Sequence, residues 1–406
     1  MWDNPQNLLA KIAYKYARGI PSPALIKAYG HWGEGKVGLL LTGNVMIEPD
    51  QLQAAGNLVI PCAAPFSGER FDRFHELASV AKAHGSLIMA QVSHPGRQSP
   101  EHLQPCPISA SDVPLLGFIN EATYARPRAA TKEDIAYVVE SFAHAAEYLD
   151  KAGFDGIQLH GAHGYLLSQF LSPTTNQRTD EYGGNLENRM RLVLEIRNEI
   201  ARRPDDAKEL CGALEENRFD FVELSGGGTR TGPSVRNESQ PLNVKRYGLE
   251  LWIYVMLALT SLQFFLEFAK LIVPTLSQTK SYVTGGSKTV EGIVNALETV
   301  DGVGLGRALC QEPRLCSDIL IGMVTGAIQQ KLNMSDFGLT VVAAGVHIRQ
   351  MGHDLQPINL GLQQDVEAFS RALAQWAEER RNDQEGKVYQ FFALPGYGDP
   401  YTTTIA

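Results

Sequence analysis

The sequence predicts an α/β fold with parallel strands, either a barrel or a doubly wound sheet. Three observations carry this expectation. Short apolar runs alternate with amphipathic helical stretches along the chain, which is the order of βαβ units. Each run breaks off at a glycine, a histidine or a polar loop, so one functional face should form at the carboxyl ends of the strands. No internal repeat of roughly 20–50 residues stands out, which disfavours solenoids and propellers.

The elements follow in order. The first strand is expected at Val37–Leu41, ending at Thr42-Gly43-Asn44. A helix over Phe71–His84 leads to a strand at Leu87–Val92, which ends at Ser93-His94-Pro95-Gly96. A helix over Lys132–Ala152 leads to Gly156–Leu159, ending at His160-Gly161, and a helix over Leu186–Arg203 follows. The next strand is Phe221–Leu224, before Ser225-Gly226-Gly227-Gly228. Tyr282–Thr284 ends at Gly285-Gly286, a helix spans Val290–Val300, and Gly302–Gly304 ends at Leu305-Gly306-Arg307. A further helix is expected over Asp365–Arg381, then a Gly/Pro/Tyr-rich tail, Phe391–Thr404, read as a surface cover. Residues 1–350 form the main domain on this reading, and 351–406 a C-terminal helix and tail packed on it or trailing it.

Composition narrows the function. The chain has 406 residues, enough for a full core, with 36 Lys+Arg against 45 Asp+Glu and a net charge of −9. An acidic chain is a poor general partner for nucleic acid, since phosphate neutralisation needs basic surface. Five cysteines with no C-x-x-C pair argue against a disulfide framework and a structural zinc site. Met1-Trp2-Asp3-Asn4-Pro5 lacks the basic and apolar regions of a signal peptide, so a cytoplasmic protein is expected. The uncharged run Leu251–Leu266 is 16 residues long, short of the roughly 20 that span a bilayer. It is read as a buried helix, with no membrane partner.

Four segments could carry chemistry. In His160-Gly161-Ala162-His163-Gly164-Tyr165 two imidazoles and a phenol leave a strand end together. Neutral imidazole can donate to a carbonyl or phenolate oxygen and Tyr can deliver a proton; chelation of a metal by His-x-x-His, or two satisfied loop histidines, are the other readings. Gln91, at the end of its strand, offers an acceptor and two donors, which suits a heterocycle edge. The glycine loops at Gly285-Gly286 and Gly304-Leu305-Gly306-Arg307 present bare backbone N–H groups and a guanidinium, fit for a phosphate or simply for tight turns. The polar loop from Leu171 to Arg189 reads as a structured connection capped at Gly184 or Asn185, with structural ion pairs.

Together, and in the family's order along the chain, QVSHPGRQ, residues 158–189 (QLHGAHGYLLSQFLSPTTNQRTDEYGGNLENR), YVTGGSKT and VGLGRAL resemble the Old Yellow Enzyme family of FMN-dependent NAD(P)H oxidoreductases. The resemblance runs from about Ile20 to about Gly345 and implies a TIM (β/α)8 barrel with FMN at its carboxyl face. It implies that His160 and His163 hold the carbonyl oxygen of an enone-type small-molecule substrate and that Tyr165 donates a proton. It further implies that Gln91 meets the flavin pyrimidine, that Gly43 makes a backbone contact, and that Gly285, Gly286, Gly306 and Arg307 clamp the FMN phosphate. NADH or NADPH would supply the hydride.

The sequence departs from that pattern in three places. No first barrel strand is recognisable in Met1–Arg18, and no fifth between Arg203 and an expected helix at Lys208–Asn217. The apolar run Leu249–Leu262 fits nothing in the family and is read as translated intron or a misassigned exon. Two alternatives therefore stand beside an active ene-reductase: a redox-inactive barrel that binds or isomerises an enone or phenol, and the product of a faulty gene model.

Overall fold

In the computed structural model, residues 19–116, 123–202, 220–225, 266, 269–270, 273–276, 279–285, 288–383, 388 and 390–401 are described. The elements are α1 (Pro23–Glu34), β1 (Leu39–Met46), β2 (Leu58–Val59), α2 (Glu69–Lys82), β3 (Leu87–Ser93), β4 (Ile108–Ser109), β5 (Arg128–Ala129), α3 (Lys132–Lys151), β6 (Gly156–Leu159), α4 (Leu166–Leu171), α5 (Leu186–Arg202) and β7 (Phe221–Ser225). Then come β8 (Lys280–Thr284), α6 (Val290–Leu297), β9 (Gly302–Gly304), α7 (Arg307–Gln311), α8 (Leu315–Leu320), α9 (Phe337–Gly352) and α10 (Gln363–Asn382).

The strands form two parallel sheets, β2-β1-β3-β6 and β7-β8-β9, with β4 and β5 as a separate short pair. All the pairings within them are parallel, as βαβ crossovers require. The expected strands are all present. β1 is the exception in extent: instead of ending at Thr42 it continues to Met46, with a register shift between Leu41 and Asn44. A bulge absorbs Thr42 and Gly43, and pairing resumes at Asn44 opposite Gln91. The segments 1–18 and 203–219, where barrel strands were not recognisable, and the run 249–262 lie outside the described residues.

The core lies between the first sheet and helices α2 and α3. Phe74, Leu77, Phe142, Tyr148 and Leu149 are fully buried there against Ile88, Ala90 and Val92 of β3. The helix α3 starts on a capping box: Thr131 Oγ1 accepts from the Asp134 N–H, and the Asp134 carboxylate accepts from the Thr131 N–H. Such a cap is worth about 1 kcal/mol. Burial pushes the Tyr148 phenol up to about 12.

The helices α1 and α9 were not anticipated. The sequence of α9, FGLTVVAAGVHIRQMG, mixes glycines with β-branched residues, a poor helix former by propensity. Packing overrides propensity there: a Cβ at Gly345 would come within 2.1 Å of the Phe391 ring, so the glycine admits the tail against the helix. Val346, Ile358, Leu360, Phe369 and Leu394 bury a second cluster between α9, α10 and that tail. The Trp376 indole N–H of α10 donates to the Gln390 carbonyl at 3.0 Å. The tail ends against α1, where the Tyr401 ring meets His31 tilted at 43°, centroids 3.8 Å apart; Asp354, just past α9, pairs with Lys27 of the same helix.

Candidate functional site

The strand ends carry the site residues as their sequence positions foretell. Met89–Val92 of β3 lie in register with Gly156–Leu159 of β6, and Gln91 sits opposite Gln158. Their side chains meet: Gln91 Nε2 donates to Gln158 Oε1 at 2.6 Å. Gln158 Nε2 in turn donates to the Glu223 carboxylate on β7 at 2.5 Å, so side chains bridge from the first sheet to the second. Glu223 was missed by sequence reasoning, although a carboxylate inside an apolar strand was the available signal. Gln158 was equally legible, since a strand's two-residue period puts it on the face of His160.

Beyond β6 the chain turns through His163, at φ 56°, and Gly164, at φ 74°. Two buried glutamines hold this left-handed turn. Gln98 Nε2 donates to the His163 carbonyl at 2.6 Å, and Gln169 Nε2 to the Gly164 carbonyl at 2.7 Å and the Pro95 carbonyl at 3.1 Å. Gln169 Oε1 accepts from the Arg97 N–H at 3.3 Å. Neither glutamine was singled out from sequence, because their partners are carbonyls that no side-chain pattern reveals.

The turn brings the three expected residues together. His163 Nδ1 lies 3.2 Å from His160 Nε2. The Tyr165 ring stands edge-on to His160, centroids 4.8 Å apart, and 6.4 Å from His163. The Ala162 N–H donates to His160 Nδ1 at 3.3 Å. That assigns the proton of His160 to Nε2, from which it is donated to His163 Nδ1, and leaves His163 Nε2–H as the donor the pair can offer a ligand. Burial, with His163 adding to it, holds the His160 imidazolium down to about 3. His163 is also lowered by burial, with Glu223 opposing. Both rings are therefore neutral at physiological pH. Burial pushes Tyr165 up to about 12 against the hydrogen bond of Asn44, so the phenol keeps its proton. Asn44, reached only because β1 continues past its bulge, is a further site residue that sequence reasoning missed. Among the described residues, no group of three or more His, Cys, Asp or Glu side chains is placed to hold a metal ion.

Gly43 sits in the β1 bulge, and a Cβ there would meet nothing within 4 Å. Its N–H donates to the Tyr29 hydroxyl at 3.1 Å and its carbonyl accepts from Thr42 Oγ1 at 2.8 Å. On the second sheet, Thr284 is in register with Gly304, so Gly285, at φ 127°, and the Leu305–Arg307 turn leave neighbouring strand ends. Gly306 opens on free space, with no atom within 4 Å of a Cβ. Arg307 heads α7 and donates to Thr340 Oγ1 of α9. Gly286 lies outside the described residues. The helix α1 spans the two regions: Tyr29 holds Gly43, and the Trp32 indole N–H donates to the Leu309 carbonyl of α7 at 2.7 Å.

The loop 171–189 is structural, as its composition suggests. Arg178 forms a two-point ion pair with Asp180 and donates to the Ala110 and Ala130 carbonyls. Asn185 caps α5 by accepting from the Asn188 N–H at 2.9 Å. No described helix is long and apolar enough to cross a membrane; residues 251–265 of the apolar run are outside the described set.

Residues 16–206 match the model of the NADH:flavin oxidoreductase / NADH oxidase family. The chain is 47% identical to an NADH-dependent flavin oxidoreductase of Aspergillus parasiticus, over 95% of this chain and 88% of that one. It is 35% identical to 12-oxophytodienoate reductase 7 of Oryza sativa subsp. japonica, over 44% of this chain and 46% of that one. Among solved structures, morphinone reductase superposes with a TM-score of 0.55 at 20% identity, over 77% of this chain and 84% of that one. That likeness shows the fold, a TIM barrel, to which the two parallel sheets β2-β1-β3-β6 and β7-β8-β9 belong.

Proposed function

The chain belongs to the NADH:flavin oxidoreductase / NADH oxidase family, an oxidoreductase with FMN as cofactor, and from that premise we propose that it reduces the activated C=C bond of an α,β-unsaturated carbonyl compound. The donor set fits FMN at both ends. An amide stands at Gln91, open space adjoins Gly43 and Gly306, and the guanidinium of Arg307 heads a helix beside the Gly285 and Gly306 turns. In this reading Gln91 meets the pyrimidine ring, Gly43 lines it, and Gly285, Gly286, Gly306 and Arg307 hold the phosphate. When bound there, FMN would supply the redox chemistry, hydride transfer from NADH or NADPH to the substrate's β-carbon.

The protein's own part is to polarise and to protonate. His163 Nε2–H donates to the substrate carbonyl, and His160, donating into the His163 ring, supports it as negative charge builds on that oxygen. Neutral rings suit this task, because a donor is needed there and a bare imidazolium would cost desolvation in so buried a site. Tyr165 holds its proton beside His160 and delivers it to the α-carbon. The observation that carries the reading is the edge-on cluster of His160, His163 and Tyr165, with the phenol pushed up to about 12. The name of one relative supports the reading in kind: a 12-oxophytodienoate reductase.

The test separates the two halves of the reaction by anaerobic stopped flow with the FMN-loaded protein and a cyclic enone. Tyr165→Phe should slow enone reduction by about 10²–10⁴-fold and leave oxidation of NADH by the loaded protein near the wild-type rate. Enone reduction by Tyr165→Phe at the wild-type rate would overturn the proposal.

A further inference from the structure

We infer that Glu223 is a positioning residue that acts through Gln158 to turn the Gln91 amide, so that the Gln91 oxygen is the atom presented to the cofactor. This deepens the proposed function and rests on its reading that Gln91 faces the pyrimidine ring.

An amide side chain has two ends of opposite hydrogen-bonding sense, and which end faces where is set by the surrounding network. A carboxylate can only accept. Glu223 therefore requires the NH2 end of Gln158, which lies 2.5 Å from it. With its NH2 end so committed, Gln158 turns its oxygen to Gln91 and requires the NH2 end of that residue, at 2.6 Å. The Gln91 oxygen is then the end left over, and no described residue donates to it. One charge on β7 thus fixes the sense of two neutral amides on β6 and β3. Without it, a chain of two amides can run in either direction with little difference in energy. The pairing of Gln91 with Gln158 is held by strand register, so the relay depends on side-chain sense alone. An oxygen turned to the cleft selects a ring N–H, such as the imide N–H of a pyrimidinedione, over a ring carbonyl.

The test is a double-mutant cycle on FMN affinity, read by quenching of FMN fluorescence as apo-protein is titrated. Glu223→Leu and Gln91→Leu should each raise the FMN Kd by about 3–10-fold, the span of one net hydrogen bond. If Glu223 acts through Gln91, adding Glu223→Leu to Gln91→Leu should change the Kd by less than about twofold. A merely structural role for Glu223 would weaken FMN by the same factor in both backgrounds, and that result overturns the inference. Unchanged affinity in Glu223→Leu, with Gln91→Leu weakened, overturns it too. If Gln91→Leu alone binds FMN normally, the assignment of Gln91 to the cofactor has failed, and the relay falls with it. Should Glu223→Leu not fold, Gln158→Met breaks the same chain at its middle link, and the cycle is run with that variant to the same criteria.

Discussion

Gly96→Ala should couple two remote-looking parts of the site through one buried side chain. Gly96 adopts φ 58°, a left-handed conformation that costs an alanine about 1–2 kcal/mol. The new methyl would also lie 2.3 Å from Gln169 Oε1 and 2.6 Å from its Nε2. Gln169 is 1% exposed and can yield only by giving up its hydrogen bonds to Pro95, Arg97 and Gly164. At about 0.5–1.5 kcal/mol each, these add roughly 1.5–4.5 kcal/mol. The total cost of Gly96→Ala is then roughly 2.5–6.5 kcal/mol. In a Gln169→Ala background those bonds are already gone and the methyl has room, so only the backbone cost of about 1–2 kcal/mol should remain. The assay is urea denaturation of the four proteins of the cycle, under conditions where circular dichroism and tryptophan fluorescence give coincident transitions with a constant slope. Equal losses from Gly96→Ala in both backgrounds would refute the reasoning. Because Gln169 also holds the Gly164 carbonyl, Gly96→Ala should additionally slow enone reduction.

Acid should destabilise the protein through its buried neutral histidines. His160 is held down to about 3 and His347, buried in α9 against the Ile358 carbonyl, to about 4, from an ordinary 6.5. An unfolded chain binds these protons near pH 6.5 and the native state does not, so stability is complete above pH 6.5 and falls as pH drops toward about 4. Each group contributes a slope of about 1.4 kcal/mol per pH unit; His347→Gln should remove one share of it, and an unchanged slope between pH 6 and pH 5 would contradict this origin. Arg307→Ala should weaken FMN by about tenfold or more while leaving riboflavin binding unchanged, since charge-assisted bonds to phosphate are the stronger class; equal effects on both ligands would argue against a phosphate role. Asn44→Leu removes the partner of the Tyr165 hydroxyl and should slow enone reduction by about 3–10-fold without altering NADH oxidation by the loaded protein.

Much of this was legible because the signals are local. Apolar runs that stop at Gly285, His160 or Gly304 mark strand ends whatever the tertiary context, and the Thr131–Asp134 box marks where α3 begins. His160, His163 and Tyr165 share six residues of chain, so their meeting needed only a tight turn. What the sequence concealed is non-local. Asn44 reaches Tyr165 only because a bulge carries β1 onward, and bulges leave no compositional mark beyond a glycine. Gln158 and Glu223 meet across two sheets, 65 residues apart in the chain. The helices α1 and α9 were hidden because their glycines serve contacts with other segments and dilute the helical pattern. How the pair divides its donors was not legible either: the two rings adjoin, and His160 spends its N–H on His163.

The helix α1 ties two ends of the site that belong to different sheets. Tyr29 and Trp32 lie one turn apart, their rings edge-on at 4.9 Å, and one grips the β1 bulge while the other grips α7. Neither anchor can shift relative to the other without moving the helix bodily or breaking a bond to it. The helix therefore works as a gauge block between them. Any molecule that must touch both ends at once is measured for length before its chemistry is read.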